Sequence, residues 1–461
     1  MVRRTYPQRT LVEVLLPDAD KLWDPILRQI DHLLEDDDLV DSVTDTLARR
    51  RPSSARRGRL GTPAAVVLRM LVLKHLYDWS FDECEREVRG SLVYRAFCRI
   101  DGERVPDAKT LIRLTHLLDR PVLKQLLERL VALGHERRVI RGRRLRVDTT
   151  VVETNIHYPT DSALLADGVR ILTRTMKRVA ARGAPGWLRV RDRARSVARR
   201  VFAIAQQTRT ATLRTGHAVR AVSQARMRRL YRELLRITGR VVRQAERVER
   251  VSRLHASGPL APLRHRLRTT VALVQRVLAQ TRARVFRGNT HYRDKVLSLF
   301  EPHTEAIRKG KATKLTEFGK LVKIQEAEAQ FITDYEVCST RVPDRTLWEP
   351  SLVRHAQLFG HPPRLAVADA AFASHRNDQV ARQHGVRCVV LPRQRREARS
   401  RRVRAALRWR TGSEGRISAL KRRHGLRRCR YRGVVGMERW VGLGVLANNL
   451  LVLGRASPGA G

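Results

Sequence analysis

Between Arg143 and Leu165 the chain reads RRLRVDTTVVETNIHYPTDSALL. Leu145-Arg146-Val147 and Thr149–Val152 carry the β-branched, apolar character of a buried strand. Asp148 sits in the middle of it. A carboxylate on such a strand is costly to bury without a cation or a proton partner. Two readings follow. Asp148 either caps a strand or turn, or it is presented by the strand as a ligand. A dense polar turn comes next, with Glu153, Thr154, Asn155, His157, Tyr158, Asp161 and Ser162.

Charge narrows the partner. Of 461 residues, 94 are Lys or Arg and 45 are Asp or Glu, giving a formal net charge of +49. Such an excess calls for a polyanion, and nucleic acid is the common one. An anionic membrane surface is the rival, but no apolar run approaches the ~20 residues that span a bilayer. The start, MVRRTYPQRTLVEVLL, lacks a signal-peptide apolar core. The five cysteines are scattered and none forms a C-x-x-C pair. This suits a reducing cytoplasm and argues against a zinc knuckle or a disulfide framework.

Taken in order, residues 1–61 read as a helical lead-in and a basic linker, with Glu35–Asp38 as a solvated helix end. Residues 62–140 read as an all-α unit. Thr62-Pro63 marks a helix start, and Ser80-Phe81-Asp82-Glu83 is a capping box. Asp107 and Asp119 open two further helices, the second closed by Gly134. Helix 107–118 carries Lys109, Arg113 and His116. It either contacts a DNA groove or is the basic surface of an ordinary bundle. Between Gly186 and Gly288 there are 26 Arg, no Lys and four acids. Apolar residues at helical spacing there predict an antiparallel hairpin with one packed and one basic face, suited to a phosphate backbone. Further on, strands are expected at 296–300, 322–325, 329–335, 337–340, 364–369 and 386–391, with a turn near Thr333-Asp334. Helices are expected at 377–384, at Glu414–Arg423 and at 437–454.

Two strands thus lead into Asp148 and Asp369, and a helix carries Glu414 beside Arg410, Arg416 and Lys421. Carboxylates from two strand ends and a packed helix suit a hard divalent cation. Each acid also has a plain alternative: Asp369 as a helix cap, and Glu414 as the ion-pair partner of Arg410 or Arg416.

The segments VDTTVVETNIHYPTDSALL, AVADAAFAS, RWRTGSEGRISALKRRHGLRRCRYRG and WVGLGVLANNL resemble bacterial insertion-sequence transposases of the D-D-E class. Three residues separate Arg410 from Glu414 and six separate Glu414 from Lys421, as in that class's Arg–Glu–Lys signature. The Tyr expected upstream is replaced by Leu407, which leaves its DNA contact to Trp409 or to nothing. The resemblance implies an α/β fold: an RNase-H-like mixed sheet flanked by helices, with an all-α N-terminal domain and a long helical insertion. The core would start at 141–177, be interrupted by the insertion 178–288, and resume at 289–461. It implies Asp148, Asp369 and Glu414 as catalytic residues and ligands of two Mg²⁺ ions, or Mn²⁺ in their place, with DNA contacts at Arg410, Arg416, Lys421, Lys109, Arg113 and His157. The implied activity is cleavage at the ends of an insertion sequence and joining of the 3′-OH ends to target DNA. A homodimer or larger assembly on DNA, in a bacterial cytoplasm at the nucleoid, is also implied. A metal-dependent nuclease without strand transfer and an inactive DNA-binding protein stay open as alternatives.

Overall fold

The computed structural model describes residues 2–5, 23–49, 60–100, 102–182, 189–213, 217–254, 260–308, 315–392 and 400–456. Its contacts divide the chain into two units, Met1–Asn155 with Ile307–Gly461, and Ile156–Ala306.

Among the described residues, the first unit opens with seven helices: α1 (Pro25–Leu33), α2 (Asp37–Ala48), α3 (Ala64–Leu76), α4 (Phe81–Gly90), α5 (Leu92–Phe97), α6 (Ala108–Thr115) and α7 (Arg120–Glu136). The capping box at Ser80 and Glu83 forms as the sequence predicts, and Asp107 and Asp119 cap α6 and α7. Gly134 does not end α7, which runs to Glu136. Its missing side chain instead leaves room for Ile140, 3.2 Å from where a Cβ would lie. The acidic run is a largely solvated helix end, with Glu35, Asp37 and Asp38 exposed. Asp36 caps α2 and pairs with Arg129 at 2.7 Å, while Glu35 pairs with Arg99 at 2.6 Å.

Alongside the short strand Glu305–Ile307, the seven-stranded sheet holds β1 (Arg144–Thr154), β2 (Glu317–Glu326), β3 (Ile332–Val337), β4 (Leu365–Ala368), β5 (Cys388–Val390) and β6 (Arg428–Cys429). Their order is β3-β2-β1-β4-β5, with β6 parallel to the far end of β1. β1–β2 and β2–β3 are antiparallel, and β1–β4 and β4–β5 are parallel. The short parallel strands alternate with helices α12 (Trp348–Phe359) and α13 (His375–Gln383), as crossover connections require. β1 is central and buried on both faces. Leu145, Val147 and Val151 join Trp348, Leu352 and Phe372 on one side. Val152 joins the core of the N-terminal helices and α15 (Gly433–Ala456) on the other.

Three expectations fail here for identifiable reasons. Asp334 lies in β3 and not in a turn, because Lys323 (3.0 Å) and Lys124 neutralise it inside the fold. The turn is the 3-10 segment Glu328–Gln330. Glu414 does not open a helix: α14 runs from Arg401 to Arg423, capped by Ser400, and Glu414 is in its middle. The apolar stretch 296–300 is not a strand; it belongs to the second unit, where the Gln280 side chain takes up both the N–H and the C=O of Val296.

The second unit holds α8 (Asp161–Ala180), α9 (Ala194–Leu213), α10 (His217–Leu254) and α11 (Ala261–Arg287). The expected hairpin is α10 and α11, and the other two helices complete a bundle around Leu172, Met176, Leu234, Val241, Leu267 and Val274. Asp161 is buried in this unit, where it accepts from Gln280 (3.1 Å) and Arg284 (3.1 Å).

Candidate active site

Parallel pairing of β1 with β4 sets Val147 opposite Ala368. Asp148 and Asp369 each stand one residue beyond that pair, which puts their backbones about 5 Å apart. Strand alternation fixes their side. Val147 and Ala368 face the core with Trp348, so Asp148 and Asp369 face the other way. Val367, of the same parity as Asp369, packs against Val403, Leu407 and Trp409 of α14. Both aspartates are thus turned toward the helix that carries Glu414, and both are half-buried.

α14 is held on β1 by Arg146. This side chain is 2% exposed and ion-paired with Glu326 on β2. It donates to the Trp409 carbonyl at 2.7 Å and lies 5.1 Å from the Trp409 ring. A Cβ on Gly412 would come within 2.7 Å of its Nη1. Gly412 therefore leaves the space that the Arg146 guanidinium occupies against the helix. One residue on, Ser413 is buried and its hydroxyl donates to Asp148 Oδ2 at 2.7 Å. The other oxygen, Oδ1, accepts from the Thr149 N–H at 2.7 Å. Asp369 Oδ1 accepts from the Ala371 N–H at 3.0 Å, so it also caps the short turn after β4. Burial raises the pKa of Glu326, and Arg146 and Arg416 pull against that rise.

Glu414 itself is 67% exposed, with Arg410 3.9 Å away. Lys421 lies 3.9 Å from Glu317. Arg416 is half-buried; it donates to Asn448 at 2.7 Å and to Gln330. Its neighbour Asn449 binds both the N–H (3.0 Å) and the C=O (2.7 Å) of Ile332. The two asparagines of α15 thus pin α14 and β3 together. Lys109 and Arg113 are exposed on α6, whose other side buries Leu111 and Thr115. In the second unit, His157 is exposed and 3.4 Å from Asp167.

The two aspartates offer hard, partly solvated oxygen donors, which fit a divalent cation such as Mg²⁺. Among the described residues, no three acidic, His or Cys side chains stand close enough to enclose a metal ion. Glu414 is brought to the same helix turn as Ser413 but not into contact with the aspartates. Ser413, Gly412, Arg146 and Glu326 escaped sequence reasoning. Ser413 had the best signal, as the immediate neighbour of a suspected ligand.

Two family models match this chain. Residues 13–117, which take in all of α1 to α6, match one described as Transposase domain (DUF772). Residues 373–453, from α13 through α15, match one described as Transposase DDE domain. Both matches support an insertion-sequence transposase of the D-D-E class. The second match takes in Glu414, Ser413 and the Asn448–Asn449 pair, and ends just after them. No curated relative and no solved structure matches the chain. No described helix is long and apolar enough to cross a membrane.

Proposed function

We propose that the transposase cleaves the ends of an insertion sequence and joins the freed 3′-OH ends to target DNA, on an RNase-H-like core. The observation that carries this reading is the placement of Asp148 and Asp369 side by side, on the sheet face covered by the helix of Glu414. The strand order β3-β2-β1-β4-β5, with β1, β2 and β3 antiparallel in turn and β4 and β5 parallel to β1, supports the RNase-H-like core.

Asp148 and Asp369 would hold the divalent cations, with Glu414 as the third carboxylate. When bound, two Mg²⁺ ions, or Mn²⁺, neutralise charge at the scissile phosphate and lower the pKa of a water. The chain's own groups orient this site. Ser413 and the Thr149 N–H each engage one oxygen of Asp148, which fixes the plane of its carboxylate. Arg410 and Lys421 lie on the Glu414 helix and would bind phosphates beside the scissile one. Arg416, already bonded to Asn448 and Gln330, anchors that helix and adds to the same positive field. In the first step the oxygen of water attacks phosphorus and the P–O3′ bond breaks, leaving a 3′-OH. In the second, that 3′-OH attacks a target phosphodiester, whose own 3′ oxygen leaves. Lys109 and Arg113 on α6, and His157 in the second unit, would also contact DNA. Holding two ends together calls for a dimer or larger assembly.

The test uses a duplex with a pre-cut 3′-OH end, taken from the DNA flanking the coding sequence, with a supercoiled plasmid and Mg²⁺. Joined product is expected. Plasmid nicking without joining would reduce the reading to a nuclease.

A further inference from the structure

Helix α10 carries a row of arginines that no chemistry at the carboxylates uses. Arg226, Arg229, Arg232, Arg236, Arg240, Arg243, Arg247 and Arg250 recur every three or four residues, and all are exposed. The opposite side of the helix buries Leu234, Leu235, Val241, Val242, Ala245 and Val248 in the bundle. The row therefore lies on one continuous, gently winding outer face. Its 24 residue steps span about 36 Å, close to the ~34 Å of one turn of duplex DNA.

Neighbouring positive charge adds to it. Gln244 donates to the Arg189 carbonyl at 3.0 Å, which ties the segment before α9 to α10. Arg191 and Arg240 both act to lower the pKa of Arg193, after its desolvation. Among the described residues, Arg236, Arg240, Arg243 and Arg247 have no carboxylate within ion-pair distance, and Arg229 has only Glu233 at 3.7 Å. Like charges packed this closely raise the free energy of the isolated bundle, and a polyanion relieves it. The row contains a single residue type on one uninterrupted helix. Arginines so arranged grip phosphates and position a duplex, while sequence is read by other contacts.

We propose that this face of α10, with Arg189–Arg193 beside it, is a track for the phosphate backbone of duplex DNA of any sequence. The assignment rests on the transposase acting on DNA, but not on its carboxylate chemistry. The test measures binding of the full chain to a 30-base-pair duplex of arbitrary sequence, without divalent metal, between 50 and 200 mM NaCl. Replacing Arg236, Arg240, Arg243 and Arg247 by Gln is expected to weaken binding at least tenfold. It should also lower the slope of log K against log salt by up to about 3.6. The matching Arg→Lys quartet is expected to keep most of the slope, which separates charge from loss of fold. Changing Arg266, Arg268, Arg276 and Arg282 on α11 to Gln serves as a charge-matched control and is expected to cost less. An unchanged slope in the α10 Gln quartet, or an equal loss in the α11 control, overturns the proposal. So does loss of polyglutamate binding with duplex affinity intact, which would assign the face to an acidic protein. Because no cleavage is read, failure here is distinct from failure of the catalytic reading.

Discussion

At the scale of single residues, Asp148 has both carboxylate oxygens engaged. One oxygen is held by Ser413 and the other by the backbone of Thr149. Replacing Ser413 by Ala removes a buried donor and is expected to cost about 1 kcal/mol of stability. The larger effect should be on cleavage rate, with duplex affinity unchanged and Thr partly restoring the rate. Equal rates in the Ala variant and the parent would show that Ser413 does not position Asp148. A second prediction concerns buried histidines. Burial holds His355 and His424 down to about 4, and His75 well below its usual value. In the unfolded chain each takes up a proton near pH 6.5. Between about pH 6.5 and 4 the unfolded state therefore binds more protons, and stability falls as pH falls. His355 and His424 each withdraw up to about 3 kcal/mol by pH 4. Urea midpoints at pH 7 and pH 4.5 check this, and replacing His355 by Gln should remove part of the difference.

At the scale of elements, the approach of α14 to β1 depends on Gly412. An added Cβ meets Arg146, whose guanidinium is fixed by Glu326 and the Trp409 carbonyl and cannot yield freely. Gly412→Ala is expected to destabilise by about 1–3 kcal/mol and to slow cleavage by shifting Glu414 and Ser413 together. A thermal melt alongside a cleavage assay reads both. Asn449→Ala leaves the buried N–H and C=O of Ile332 without partners, for about 2–3 kcal/mol. These contacts explain what the sequence could and could not reveal. β1 was legible because β-branched residues surround Asp148, and β4 because LAVA runs straight into Asp369. The start of α14 was not, because Gly412-Ser413 looks like a helix boundary when Arg146 is unseen. Likewise Asp334 looks like a turn residue until two lysines from other elements are placed beside it. Only tertiary partners separate these cases.

At the scale of the whole molecule, two units share one chain, and the carboxylates belong to the first. The α/β alternation, the N-terminal helices and the basic helical segment were readable from periodicity and punctuation. The completion of the bundle by α8 and α9, and the division of the chain at Asn155, were not, because they depend on which apolar faces meet. The net charge of +49 makes a clear demand on the molecule. Duplex binding should fall steeply with salt, by orders of magnitude between 50 and 200 mM, if 6–10 phosphates are neutralised. A shallow dependence would mean that most of the arginines never meet DNA. The most direct measurement is strand joining by four proteins side by side: the parent, Asp148→Asn, Asp369→Asn and Glu414→Gln. Each is given the same pre-cut duplex, target plasmid and Mg²⁺, and duplex binding is measured in parallel. Joined product is expected from the parent alone, with all four binding the duplex alike. Product from any one variant at the parent's level would remove that residue from the catalytic set and contradict the site.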